Sequence, residues 1–242
     1  MKTKIIFFAL LMFSLSSFSQ TLHVHKNDGS IVSINLDLID KITFSLQDSS
    51  SFTDPRDGNV YDHVEIGTQT WMSENLAYLP SVNPPSEGDN GEVKYYVLDY
   101  NGSSVSEARA TSNYAMYGAL YSWDAALTAC PTGWHLPSMA DWNILAEYLG
   151  EDPGTKLKST TGWNYEGDGD NASGFNAYPV GHRSSTNQFS DNGTSADFWT
   201  ANERDDNQNQ AWRISLYYNS FEVDNSRSGN KEFGYTVRCV KD

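Results

Sequence analysis

Apolar and polar positions alternate through Val60-Tyr61-Asp62-His63-Val64-Glu65-Ile66, the period of a half-buried strand. Gly67-Thr68-Gln69 then turns the chain and Thr70-Trp71-Met72 returns it, so residues 60–72 are expected to form a hairpin. An earlier hairpin is expected where Leu22 and Val24 are followed by Asn27-Asp28-Gly29-Ser30 and then by Ile31, Ser33 and Asn35. Asp-Gly between two alternating segments is a strong hairpin signal, because both turn residues tolerate positive φ. Leu36, Leu38 and Ile39, then Ile42-Thr43-Phe44, suggest a short turn and a third strand. This leader, residues 20–47, is too small to bury much surface alone. Residues 48–56 are polar with a serine run and read as a linker, so the main domain is expected over 57–242.

The helical period shows in two places. Ser122 to Ala129 is one segment. The other runs from Ser138, a good N-cap with Asp141 three residues on, through Trp142, Leu145 and Leu149 on one face, to Gly150 where a C′ glycine belongs. Short strands are expected at Phe198-Trp199-Thr200, Ala211 to Tyr217 and Tyr235 to Val240. Residues 80–112 form a long polar insertion, with a short strand at Tyr95-Tyr96-Val97-Leu98. Two helices among many short strands make an α+β domain.

The first nineteen residues belong to a different class. Lys2 and Lys4 precede the apolar run Ile5 to Phe13, and Ser14, Ser16, Ser17 and Ser19 follow it. That is the order of a secretory signal peptide, with cleavage before Gln20. The apolar run is too short to span a bilayer, which takes about 20 residues. No other segment is apolar enough, so no transmembrane segment is expected in the mature chain. Export to the periplasm, the cell surface or beyond is the expected localisation.

Composition narrows the function classes. The chain has 242 residues and a formal charge of −15, and losing the first nineteen residues, with Lys2 and Lys4, makes it two charges more negative. No basic face is left to neutralise phosphates, which excludes nucleic acid as a partner. Seven Trp and fourteen Tyr exclude a disordered acidic tail. The only two cysteines are Cys130 and Cys239. Export into an oxidising compartment favours a disulfide between them, two free buried thiols being the alternative.

Several stretches resemble one family. They are Asp57-Gly58-Asn59-Val60-Tyr61; Ile66 to Leu76; Tyr117-Gly118-Ala119-Leu120-Tyr121-Ser122-Trp123; Cys130-Pro131-Thr132-Gly133-Trp134-His135-Leu136-Pro137-Ser138; and Val237-Arg238-Cys239-Val240-Lys241-Asp242. Gly174-Phe175-Asn176-Ala177 and Phe198-Trp199-Thr200 fit as well. Together, over residues 57–242, they resemble the Fibrobacter succinogenes major paralogous domain. The resemblance implies a C-type lectin-like fold: two helices packed on small twisted antiparallel sheets, with long loops on one side. A Cys130–Cys239 bond would suit that arrangement.

Three chemistries are candidates. Asp168, Asp170 and Asn171, beside Glu166, place several oxygens in one loop, as calcium requires. Asp197, Glu203, Asp205 and Asp206 form a second acidic group. Neither has the spacing of an EF-hand, and the Glu-Pro-Asn or Gln-Pro-Asp triplets of sugar-binding C-type lectins are missing. Calcium is therefore the one candidate cofactor. Second, Trp134 through Trp142 resembles a stretch of the formylglycine-generating enzymes, which use paired cysteines and copper; here the two cysteines are placed for a structural bridge, so an enzyme is disfavoured. Third, Trp163-Asn164-Tyr165 and Tyr217-Tyr218-Asn219 mix aromatic rings with amides, a combination suited to sugars and proteins. The expected ligand-binding residues are Trp163, Tyr165, Trp199, Trp212 and Tyr217. The expected function is a non-enzymatic binding module for a glycan or a surface protein, with a structural or adhesive component as the alternative.

Overall fold

The computed structural model describes residues 21–25, 31–35, 50–87, 92–184 and 186–242. The expected signal peptide, the turn at 27–30 and the third strand at 42–44 lie outside the described residues. The chain divides into two units, Met1–Leu46 and Gln47–Asp242. In the first, β1 (Thr21–His25) pairs antiparallel with β2 (Ile31–Asn35), Thr21 facing Asn35 and His25 facing Ile31.

The second unit is built on two sheets. Its opening strands are β3 (Ser50–Thr53), β4 (Val60–Ile66) and β5 (Gln69–Met72). The segment expected as linker thus carries an edge strand. Phe52 holds it there, its ring 5.5 Å from Tyr61 and 4.8 Å from Trp134. Strand β4 is covered on both faces: Tyr61 joins one core, while Val64 and Ile66 join another with Trp71.

The insertion contributes β6 (Tyr95–Tyr96) and a short helix, α1 (Val105–Arg109), and a second short helix, α2 (Ser112–Tyr117), starts at its last residue. Each starts at a side-chain cap, Ser104 accepting from the Glu107 N–H and Thr111 from the Tyr114 N–H. Next come β7 (Leu120–Tyr121), α3 (Trp123–Ala126), β8 (Trp134–His135), α4 (Met139–Leu149) and α5 (Pro153–Leu157). The small hairpin β9 (His182–Arg183) and β10 (Phe189–Ser190) leads into the longest strands, β11 (Ser195–Arg204) and β12 (Asn207–Tyr217). The chain closes with β13 (Asp224–Asn230), β14 (Tyr235–Thr236) and β15 (Val240–Lys241).

One sheet has five strands in the order β3-β4-β5-β15-β8, the other six in the order β13-β12-β11-β14-β7-β6. This β-rich architecture corrects the expectation of an α+β, C-type lectin-like domain resting on two helices. Of those two, α4 forms as expected, with Ser138 and Asp141 completing a capping box. The other shrinks to the four residues of α3. Ser122 gives it no side-chain cap, and the Cys130-Pro131 step that follows disfavours helical backbone before the proline. Strands β11 and β12 are longer than the short strands the sequence pattern suggests, and they supply Ala196, Phe198, Trp199, Ala211, Ile214 and Leu216 to the core.

The two sheets share a wall of aromatic residues. Trp71 packs on Trp142 with ring centroids 4.9 Å apart, and Phe175 and Phe198 complete that cluster. Cys130 and Cys239 are joined by a disulfide, closing a loop 109 residues long in sequence. No helix among the described residues is long and apolar enough to cross a membrane.

Candidate functional site

The segment from Lys158 to Asp168 is anchored before it is exposed. Trp163 is buried, and its Nε1 donates to Ser159 Oγ at 3.1 Å and to Ala177 O at 3.2 Å. The Trp163 N–H donates to Asp168 Oδ1 at 2.9 Å. Asn164 N donates to Gly193 O at 2.7 Å, and Tyr218 N to Thr194 O at 3.0 Å, so both neighbouring segments hang from one loop. Lys158 ties them further: its ammonium donates to Tyr217 O at 3.3 Å and Ser220 O at 3.1 Å, 5.2 Å from the Trp163 ring.

Between these anchors the backbone makes a tight turn, with Gly167 N donating to Asn164 O at 3.0 Å. Its central residues, Tyr165 and Glu166, have φ of 56° and 60°. Two successive residues with positive φ are ordinarily Asn-Gly or Gly-Gly, because a Cβ in the left-handed region costs about 1–2 kcal/mol. Here a tyrosine and a glutamate occupy both positions. The turn holds Tyr165 out at 78% exposure, its ring 5.1 Å from the half-buried ring of Tyr218. Gly167 permits that approach: a Cβ there would come 2.6 Å from the Tyr218 Cβ. The exposed amides Asn164 and Asn219 flank the two rings in sequence.

The sequence-predicted residues divide sharply. Tyr165 is exposed, and the segments 163–165 and 217–219 do come together. Trp163 and Trp199 are corrected from ligand-binding to core positions. Trp199 is wholly buried, and its Nε1 donates to Tyr121 O at 2.7 Å inside the sheet. A ring with no exposed face cannot stack on a ligand. Trp212 is half-buried beneath the Arg204 guanidinium, 5.1 Å from its ring. Tyr217 is half-buried at the end of β12. Tyr218, the ring that meets Tyr165, falls one residue later; its signal was its place beside Asn219, straight after the strand.

The calcium-candidate oxygens serve the loop itself. Asp168 caps the Trp163 N–H, Asp170 Oδ1 accepts from Ala172 N at 3.0 Å, and Asn171 Oδ1 accepts from Asn176 N at 2.7 Å. Three of the four residues in the second acidic group are drawn into ion pairs: Asp197 with Arg213, Glu203 with Lys231, and Asp206 with Arg204. Among the described residues, no three His, Cys, Asp or Glu side chains are grouped so as to hold a metal ion. His135 is half-exposed, with Nδ1 2.7 Å from Asp242 Oδ1 and Nε2 3.6 Å from Asp141.

Asp197 belongs to a buried polar cluster that the sequence pattern hides. It accepts from Ser195 Oγ at 2.8 Å, from Ser215 Oγ at 2.6 Å and from Arg213, with the His182 Nδ1 3.6 Å away. Burial pushes its carboxyl up, but His182, Arg213 and Ser215 outweigh that and hold it below the usual carboxylate range. Both serines donate to the carboxylate. The cluster ties β9, β11 and β12 together.

Comparison with curated proteins and with solved structures finds no match. The model of the Fibrobacter succinogenes major domain matches residues 64–241, and the chain belongs to that family.

Proposed function

We propose that this chain is an exported, non-enzymatic binding module that contacts a glycan through the Tyr165–Tyr218 edge. The observation that carries the reading is the left-handed turn at Tyr165 and Glu166. Backbone strain of this kind, about 1–3 kcal/mol per residue, persists where surrounding structure enforces it and concentrates at ligand contacts. Here the strain holds an aromatic ring in solvent, where a core residue would gain nothing. A tyrosine ring offers an apolar face to the C–H face of a pyranose, and its phenol and the neighbouring Asn164 and Asn219 amides can bond to hydroxyls.

The other parts of the reading have separate support. The Lys2/Lys4 start, the apolar run and the serines after it favour export. A disulfide between Cys130 and Cys239 fits an oxidising compartment and occupies both thiols that copper chemistry of the formylglycine-generating type would use. A glycan array probed with the mature chain tests the reading. Binding to a defined set of glycans is expected, weakened at least tenfold by Tyr165→Ala with the melting temperature little changed. An array without signal, or a signal that Tyr165→Ala leaves intact, would overturn it.

A further inference from the structure

Toward the other end of β12, at Asn209, roughly 26 Å from Tyr217 at about 3.3 Å per strand residue, lies a cavity of about 460 Å³. Its walls come from the approach to β6, the start of α3, strand β9, the first residues of β12 and the end of β13. That volume falls within the range of small-molecule sites, about 300–1,000 Å³. The lining is polar, and what identifies its ligand is which polar groups are already used.

The cations are engaged. Lys94 is buried, and its ammonium pairs with Glu87 at 2.7 Å and lies 3.8 Å from Glu92. Arg183, also buried, donates to the carbonyls of Pro85, Glu87 and Glu232 and to Asn187 Oδ1. Lys231 pairs with Glu203 and sits 4.4 Å over the Trp123 ring. These contacts build a rigid floor and leave no cation waiting for an anion.

The groups with open valences are of another kind. Among the described residues, the Asp124 carboxylate has no hydrogen-bond or ion-pair partner, and neither has the Asn209 side chain. Asn230 uses its Oδ1 to accept from Glu232 N at 3.2 Å, which leaves its NH₂ to donate. The cavity therefore offers one carboxylate acceptor and two primary amides. Its charged lining is balanced, with Glu92, Asp124 and Glu232 against Lys94, Arg183 and Lys231. An anionic ligand would meet Asp124 and gain no free cation. A cationic ligand would meet the Arg183 guanidinium, whose bonds are all to neutral oxygens and leave its charge uncompensated. An apolar ligand would strip water from charged groups without replacing its hydrogen bonds. Hydroxyl groups satisfy all three open side chains, donating to the carboxylate and accepting from the amides.

We infer that this cavity is a second binding site, for a neutral mono- or disaccharide, held by Asp124, Asn209 and Asn230. It does not depend on the Tyr165 edge. The test is amide chemical-shift perturbation on the mature chain. Cellobiose, maltose, lactose and xylobiose serve as neutral probes, glucuronate as the anionic probe and putrescine as the cationic one. At least one neutral disaccharide is expected to shift the amides around 92–96, 122–124, 207–210 and 228–232, and glucuronate and putrescine are not. Asp124→Asn and Asn209→Ala change only side chains without protein partners, so both should fold normally and each weaken the response at least tenfold. Tyr165→Ala should leave it unchanged. The inference is overturned if no neutral probe shifts these amides, if glucuronate or putrescine does so instead, if the two cavity variants respond as the native chain does, or if Tyr165→Ala abolishes the response.

Discussion

Arg238 Nη2 donates to Asn75 Oδ1 at 2.8 Å in the wholly buried interior, across 163 residues of sequence. The same guanidinium donates to Met72 O and Phe175 O and lies 4.3 Å from the Phe175 ring. One side chain thus fastens the end of β5, the 175–176 loop and the closing strand to each other. Among the described residues, no carboxylate lies within ion-pair distance of it, so the bonds are to neutral acceptors.

Replacing Arg238 with Met keeps an unbranched apolar stem and removes every donor. Each orphaned buried acceptor costs about 1–3 kcal/mol, so the loss should reach about 3–5 kcal/mol in urea unfolding. A loss below about 1 kcal/mol would mean water or a neighbour replaces the guanidinium. The pH dependence has a definite sign. Burial lowers the Arg238 pKa to about 9, well under the ordinary arginine value. Below that pH both folded and unfolded chains carry the proton and the penalty is constant. Above it the unfolded chain binds more protons, so this group's contribution to stability rises. The stability gap between the native chain and Arg238→Met should therefore widen above pH 9.

The Cys130–Cys239 bond closes a loop of 109 residues. On the chain-entropy model a loop of that length contributes about 4.7 kcal/mol at 25 °C. A Cys130→Ser/Cys239→Ser chain should lose roughly that amount, and treating the native chain with reductant should move its urea midpoint to the same place. A midpoint indifferent to reductant would refute the stabilising role.

Asp197 predicts the acid limb of stability. Its carboxyl is held low in the folded state, against an unfolded value of about 3.9. A depressed folded pKa means the stabilisation is fully present above the unfolded value and lost as pH falls through the folded one. Asp197→Asn strands the Arg213 charge and should cost about 3–5 kcal/mol at neutral pH. The difference between the two chains should then shrink below about pH 4. A difference that stays constant between pH 6 and pH 3 would show that Asp197 does not titrate with folding.

What could be read from sequence was local. The Ser138/Asp141 capping box lies within one turn, so its residues alone specify the start of α4. The 60–72 hairpin likewise follows from alternation and its Gly67 turn. The fate of each tryptophan was not local. Trp163 and Trp199 look alike in a loop-rich stretch, but both are core because Ala177 and Tyr121, distant in sequence, supply buried carbonyls to their ring N–H groups. The acidic loop at 168–171 reads as a cation site only while its backbone partners are unknown. The cavity residues come from five separated segments, none carrying a recognisable spacing.

The turn at Tyr165 lets stability and binding be separated. Tyr165→Ala removes the ring contact with Tyr218 and keeps a Cβ at φ 56°. Tyr165→Gly removes the same contact and also the left-handed penalty of about 1–2 kcal/mol, offset in part by the greater freedom of glycine in the unfolded chain, about 0.5–1 kcal/mol. The glycine variant should therefore be more stable than the alanine variant by up to about 1 kcal/mol, and both should lose the proposed glycan contact equally. Urea unfolding of the two chains, with array binding measured alongside, gives both quantities. If alanine proves the more stable, the strain at this turn is not real. If glycine keeps full glycan binding, the ring is not the contact and the turn exists for packing alone.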